Sequence, residues 1–307
     1  MVSKILAATD FSEQANAAIR HAATLAKRFD AELVLMHVGS PPEPPPAGAV
    51  IPSRVVSQVT TLVEKIHAEN EEELSALAEK LRADGASIAT RLTVDHPDVA
   101  IADTASEIGA DLVVTGTHGR TGVQRFLLGS TAERVVRLSE VPVLVSRPPA
   151  PESGLYRRVL VATDFSPASE RALALATELA APDAAIDIQH VWQFPARAQA
   201  LLGSPSAVHG DLQDELKAVF AEQAEALRAR HQRGQQTLRT VQDVGAAASK
   251  IQERLEFEGD YDLVALGSHG ERGFRRFFLG SVAERITRHA PCSVLVCQPT
   301  AADDEEE

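Results

Sequence analysis

The chain has 307 residues, 44% apolar and 24% charged, with a formal net charge of -13 and an isoelectric point near 5.3. No run approaches the roughly 20 apolar residues of a transmembrane helix, and "MVSKILAATD" reaches an acid too soon for a secretory signal, so a cytoplasmic chain with no membrane partner is expected. The acidic balance argues against nucleic acid as a partner, because binding a phosphate backbone needs a basic face, and the length fits two ordinary domains.

In chain order, Lys4 to Ala8 and Leu33 to Val38 are short apolar runs that read as strands, and residues 14–29 between them read as an amphipathic helix. A proline-rich loop, "SPPEPPPAG", follows. From Val55, apolar residues recur as Val59, Leu62, Ile66, Leu74, Leu77 and Leu81, a long helix of period near 3.6. Alternation over Ser87 to Val94 gives a third strand, residues 97–108 a helix, Asp111 to Thr115 a strand, Ser130 to Leu138 a helix, and Val143 to Val145 a last strand.

The same plan then starts again, and a repeat of this size decides the fold class. "KILAATDFS" from Lys4 returns as "RVLVATDFS" from Arg158, "LVLMHV" from Leu33 as "IDIQHV" from Ile186, and "DLVVTG" from Asp111 as "DLVALG" from Asp262. "GTHGRTGVQRFLLGST", from Gly116, returns as "GSHGERGFRRFFLGSV", from Gly267. Between the copies, "RPPAPESG" has the Pro, Gly and Ser content of a linker. The expected division is a first domain over 1–147, a linker over 148–156, a second domain over 157–299, and a solvated acidic tail over 300–307. The second copy carries a different insert at 192–210. Cys292 and Cys297 lie five apart at the end of a predicted strand, so they face opposite sides and read as two reduced thiols.

Strands alternating with helices make each copy an α/β unit of five strands in a mostly parallel sheet. In such sheets the ligand crevice lies beyond the carboxyl ends of the strands, where strand order reverses. The repeated polar residues fall at those ends: Asp10 and Asp164 after strand one, His37-Val38 and His190-Val191 after strand two, Gly116 and Gly267 after strand four. Gly116, Gly119 and Gly129 precede a helix starting near Ser130, as Gly267, Gly270 and Gly280 precede one at Ser281. Glycines allow close backbone approach, and a helix N-terminus offers unpaired N–H groups to a phosphate, so an acidic protein can still hold one.

Two readings stand for the serines, because Ser130 with Glu133 and Ser281 with Glu284 also match the S-x-x-E capping box. Asp10 with Glu13 allows a capping box too, whereas Ser166-Pro167 looks like the helix cap in copy two and leaves the Asp164 carboxylate free. That carboxylate suits a ribose hydroxyl or a base amino group, and the backbone at Val38 and Val191 suits an adenine edge. Neither a P-loop nor a dinucleotide fingerprint occurs. His37, His190, His118 and His269 lack the close spacing of a structural zinc site, so no metal site is expected. Arg120 becomes Glu271, and Arg272, Arg275 and Arg276 read mainly as a solvated face.

"ATDFS" after strand one, "HV" after strand two and G-x-x-G, nine residues, G-S before the last helix together resemble the universal stress protein family, in both copies and over nearly the whole chain. The resemblance implies two tandem five-stranded parallel sheets of order 3-2-1-4-5, adenine-nucleotide α-hydrolase-like, packed as an intrachain pseudo-dimer through the edges "VPVLV" and "CSVLV", with a homodimer as a further association. It also implies ATP binding, with Mg²⁺: Asp10 and Val38 match adenosine contacts, and Gly116, Gly119, Gly129 and Ser130 match phosphate contacts. In copy two the matches are Asp164, Val191, Gly267, Gly270, Gly280 and Ser281; Thr131 is Val282, so one hydroxyl is lost there.

The leading expectation is an ATP-binding stress-response protein that acts on a protein partner. No catalytic residue is assigned, since no general base, Mg²⁺ carboxylate pair or arginine finger stands at the glycine loop, and hydrolysis is slow at most. The alternative is a non-nucleotide interaction module or a binder of another small ligand, motivated by the dissimilar inserts "PPEPPPAGAVIPSR" and "QFPARAQALLGSPSAVHG". An ATP-pyrophosphatase would carry an S-G-G-x-D-S loop after strand one, and "TDFS" is not that loop.

Overall fold

A computed structural model describes residues 1–41, 51–117, 128–193, 207–269 and 279–299. The first half runs β1 (Lys4–Thr9), α1 (Glu13–Phe29), β2 (Glu32–Gly39), α2 (Ser53–Ala83), β3 (Ser87–Val94), α3 (Pro97–Glu107), β4 (Leu112–Gly116), α4 (Ser130–Leu138) and β5 (Val143–Ser146). The second repeats it as β6 (Tyr156–Ala162), α5 (Pro167–Leu179), β7 (Ala180–Trp192), α6 (Ala207–His231), β8 (Thr237–Val244), α7 (Ala247–Phe257), β9 (Leu263–Gly267), α8 (Ser281–His289) and β10 (Ser293–Cys297). Most expected elements appear within a few residues of their bounds. β7 is longer than the "IDIQHV" run, with an irregular register between Tyr156↔Ala180 and Arg158↔Ala185.

Each half is the expected 3-2-1-4-5 sheet, and the two join into one ten-stranded sheet of order β3-β2-β1-β4-β5-β10-β9-β6-β7-β8. Among the described residues all strand pairs within a half are parallel, and the one antiparallel pair is the joint, where Val143, Leu144 and Val145 face Val296, Leu295 and Val294. Each copy thereby covers the other's edge strand, the element most prone to unwanted pairing. Strand alternation sends Ile5 and Ala7 to one face and Leu6 to the other, giving two apolar layers that each run across both halves. Cys297 and Cys292 fall in opposite layers as their spacing predicts; both are free thiols, pushed up to about 12 by burial and therefore unreactive.

The joint is also tied by polar groups arranged with the pseudo-symmetry of the repeat. Arg147, just after β5, donates from Nη2 to the Thr287 carbonyl at the end of α8 (2.9 Å), and Gln298, just after β10, donates from Nε2 to the Val136 carbonyl near the end of α4 (3.1 Å). Each residue reaches across to the carbonyls a helix terminus leaves unpaired, and the buried Arg147 cation also suits the negative end of the helix dipole.

His21 of α1 closes the other side of this joint. Its Nε2–H donates to the Gly154 carbonyl (3.3 Å), its Nδ1 accepts from Ser146 Oγ (3.0 Å), and its ring meets the edge of Tyr156 at 5.4 Å. A carbonyl can only accept, so Nε2 carries a hydrogen, and in the neutral ring Nδ1 accepts from the hydroxyl. Burial lowers the pKa of His21, against an opposing pull from the Gly154 hydrogen bond. The unfolded chain therefore binds the extra proton first, and stability falls as pH drops below about 6.5, the ordinary imidazole value. Calorimetric melting between pH 7 and pH 5 should show a steeper loss of Tm for the natural chain than for His21→Gln; parallel slopes would exclude this role.

The long second helix differs from its expected use. Of its apolar stripe, Leu74 and Leu81 are buried with Ala78, but Val55, Val59, Leu62 and Ile66 are exposed. The 3.6-residue period makes a helix throughout, but only its C-terminal half has a sheet to cover.

Candidate functional site

The strand order reverses at β1, where α1 leaves on one face of the sheet and α3 lies on the other, and a crevice opens beyond the strand ends there. In copy one it is about 340 Å³ and is lined by Thr9, Asp10, Val38, Gly116, Ser130 and Thr131 among others. In copy two it is about 210 Å³ and includes Asp164, Val191, Gly267, Gly280, Ser281 and Val282. Eleven of the thirteen expected site residues thus line two equivalent crevices. The other two, Gly119 and Gly270, lie outside the described residues, as do His118, Arg120, Glu271, Arg272, Arg275, Arg276, most of both inserts and the acidic tail.

The "TDFS" loop is built the same way twice. Phe11 and Phe165 sit in the left-handed region, with φ of 65° and 68°, a conformation that is strained for a bulky side chain. Their N–H groups donate to Thr9 Oγ1 and Thr163 Oγ1, both at 3.0 Å, and Ser12 and Ser166 donate from their N–H to Asp10 Oδ1 and Asp164 Oδ1. Ser12 and Ser166 are the helix caps, accepting from Ala15 and Ser169. Asp10 does not cap α1, in keeping with the pattern of copy two. One expectation is corrected here: the Asp164 carboxylate is not wholly free, since its Oδ1 also accepts from Ser166 Oγ at 2.6 Å.

His37 and His190 are structural. Nδ1 of each donates to the carbonyl of Thr9 or Thr163, at 2.7 and 2.8 Å, and the rings pack on Phe11 and Phe165. They hold strand two against the turn after strand one. β2 and β7 then overrun their inner neighbours: the last β1–β2 pair is Thr9↔His37 and the last β6–β7 pair is Ala162↔Gln189, so Val38 and Val191 lie past the ladder at the crevice mouth.

Gly116 and Gly267 are needed for packing. A Cβ on Gly116 would lie 3.2 Å from the Gln14 carbonyl oxygen, and one on Gly267 3.0 Å from the Ser169 nitrogen, so glycine lets strand four pass the first turn of the adjoining helix without displacing backbone atoms. Gly129 donates its N–H to the Thr117 carbonyl (2.6 Å) and Gly280 to that of Ser268 (2.8 Å), which ties the start of the last helix to the residue just after strand four.

Gly129 and Gly280, both with extended backbone, are the N-caps of α4 and α8, and neither helix has a side-chain cap. The capping reading of Ser130 and Ser281 is therefore excluded; they are the first residues inside their helices and are exposed. The first intrahelical bonds come from Glu133 and Glu284, so the N–H groups of Ser130, Thr131 and Ala132, and of Ser281, Val282 and Ala283, head their helices at the crevice without an intrahelical acceptor. Three such donors and a positive dipole end suit an anion. Each crevice therefore has a carboxylate at one end and backbone N–H groups at a helix head at the other.

Sequence reasoning missed two residues of copy two. Gln189 lines its crevice, where copy one has the apolar Met36 at the matching position, and His269 lines it near Gly280. His269 Nδ1 pairs with Ser268 Oγ at 3.0 Å, and burial lowers its pKa, which keeps the ring neutral. Both lie in the quoted repeat, and comparing the two copies position by position would have singled out Gln189. Among the described residues no group of three or more His, Cys, Asp or Glu is placed to hold a metal, and no helix is long and apolar enough to cross a membrane.

A sequence profile described as the universal stress protein family matches the chain twice, over residues 1–147 and 155–298. A universal stress protein of Mycolicibacterium smegmatis is 29% identical over 96% of this chain and 97% of its own length. One from Methanocaldococcus jannaschii is 34% identical over 50% of this chain and 86% of its own length. Among solved structures, a universal stress protein from Archaeoglobus fulgidus superposes with a TM-score of 0.68 at 22% identity, covering 97% of both chains, a likeness of fold.

Proposed function

Because this chain belongs to the universal stress protein family, with a family domain in each half, we propose that it binds an adenine nucleotide, ATP with Mg²⁺, in one or both crevices and uses the bound state to bias contact with a protein partner. Residues 148–156 connect the 1–147 and 157–299 domains. The observation that carries the reading is the pairing, in both copies, of a half-buried aspartate with a helix N-terminus across one crevice. Asp10 or Asp164 accepts from the ribose, and the backbone at Val38 or Val191 meets the adenine edge. Gly116, Gly119, Gly129, Ser130 and Thr131, with Gly267, Gly270, Gly280 and Ser281 in copy two, shape and line the phosphate end. The donors there are backbone N–H groups, which is how a chain of net charge -13 can hold a triphosphate.

Hydrolysis is slow at most. The histidines at the ends of β2 and β7 hold the Thr9 and Thr163 carbonyls, and no acidic cluster stands ready for a metal among the described residues. The partner half of the reading is supported by the exposed apolar stripe Val55, Val59, Leu62 and Ile66 on one face of α2.

Calorimetric titration of nucleotide-stripped protein with ATP and Mg²⁺ should give close to two sites per chain, with one lost in Asp10→Ala and the other in Asp164→Ala. No binding by the natural chain would sink the nucleotide reading and favour an interaction module.

A further inference from the structure

The two crevices share their mouths but differ at the floor. On the face of β7 that carries Val191, the preceding inward residues are Gln189 and Asp187, where β2 has Met36 and Val34. Asp187 is held through one oxygen: its Oδ2 accepts from Tyr261 Oη at 2.6 Å and from Arg158 Nη2 at 2.8 Å, while its Oδ1 has no hydrogen-bond partner. Gln189 is held from the side. Its Nε2 donates to Asp243 Oδ2 at 2.8 Å, and Asp243 in turn faces Arg254 at 3.5 Å.

A carboxylate beside Arg254 only accepts, so the amide of Gln189 has one orientation, with Nε2 toward β8 and α7. The remaining oxygen, Oε1, belongs to a side chain that lines the crevice together with the apolar Ala162, Ile251 and Leu266. Gln189 is 1% exposed, and Oε1 has no hydrogen-bond partner. A buried acceptor held in one orientation without a donor is a costly feature, and a ligand that brings the donor recovers that cost. Met36 offers copy one no such acceptor.

We propose that Gln189 makes the copy-two crevice selective for a ligand whose heterocycle presents an amino or ring N–H donor to the crevice floor, while copy one selects by shape and by its backbone edge alone. The inference rests on the nucleotide reading and deepens it: the 6-amino group of adenine is a donor of this kind. Asp243 is the positioning residue, because it fixes which end of the Gln189 amide meets the ligand.

The test compares ATP with purine riboside 5′-triphosphate, which lacks the 6-amino group, by calorimetry on the full chain. Asp10→Ala leaves copy two as the site measured, and Asp164→Ala leaves copy one. At copy two, ATP should bind about tenfold tighter than the analogue, the size of one neutral hydrogen bond. Adding Gln189→Met should lower that ratio to the value measured at copy one. Asp243→Asn lets the amide turn over and should lower the ratio without emptying the site, and it carries the test if Gln189→Met fails to fold. A ratio unmoved by either substitution, with ATP still bound, overturns the role of Gln189 and leaves the nucleotide reading intact. A natural chain that binds neither triphosphate overturns both.

Discussion

Leu144→Asp should destabilise the whole chain by about 4–5 kcal/mol, through an unpaired charge buried at the centre of the joint. Leu144 faces Leu295 across the antiparallel pair, and both are fully buried. An aspartate there finds no cation across the strand, since its neighbours in the register are Val294, Val296 and Leu295. Arg147 is nearby in sequence, but its guanidinium is committed to the carbonyls at the end of α8. Relief comes only by opening the joint, which uncovers β5 and β10 as edges and invites association. Urea unfolding should show the midpoint falling sharply, and size-exclusion chromatography should show species larger than the natural protein. A midpoint within error of the natural chain would mean that the halves are held together elsewhere.

Ser130→Pro combined with Ser281→Pro should weaken ATP binding by about ten- to a hundredfold, the worth of one lost hydrogen bond to a charged group, while leaving the fold almost untouched. Proline is tolerated at the first helical position, where its missing N–H breaks no intrahelical bond. The preceding residue must be extended, and it already is: Gly129 has φ -64° and ψ 145°, and Gly280 has φ -59° and ψ 148°. Each substitution removes one hydroxyl and one N–H at the anion end. Adenosine, which has no phosphate, should bind the variant as it binds the natural chain. If ATP and adenosine weaken equally, the heads of α4 and α8 are not the phosphate site, and the crevice must be read differently.

Much of this was legible because the chain states its plan twice. The "TDFS", "HV" and glycine segments recur in the same order, and a strand-end position in an α/β sheet is where a crevice must open. The role of Ser130 was not legible: S-x-x-E fits a cap, and the choice between Gly129 and Ser130 depends on which residue first turns helical. That is set where the Gly129 N–H meets the Thr117 carbonyl, outside the helix itself. The packing role of Gly116 was not legible either, because it depends on α1 lying against β4.

The sequence by itself determined the repeat, the alternation of strands and helices, the acidic character, and the end of the sheet at which the crevices lie. These follow from periodicity and residue type, which are local properties. The tertiary structure decided what depends on neighbours distant in the chain: that His21 and Arg147 tie the two halves, that the first half of α2 has no sheet to cover, and that Gln189 stands at the copy-two floor with one oxygen unpaired. Hydrogen-bond satisfaction and burial are properties of an environment, and an environment exists only once the chain has folded.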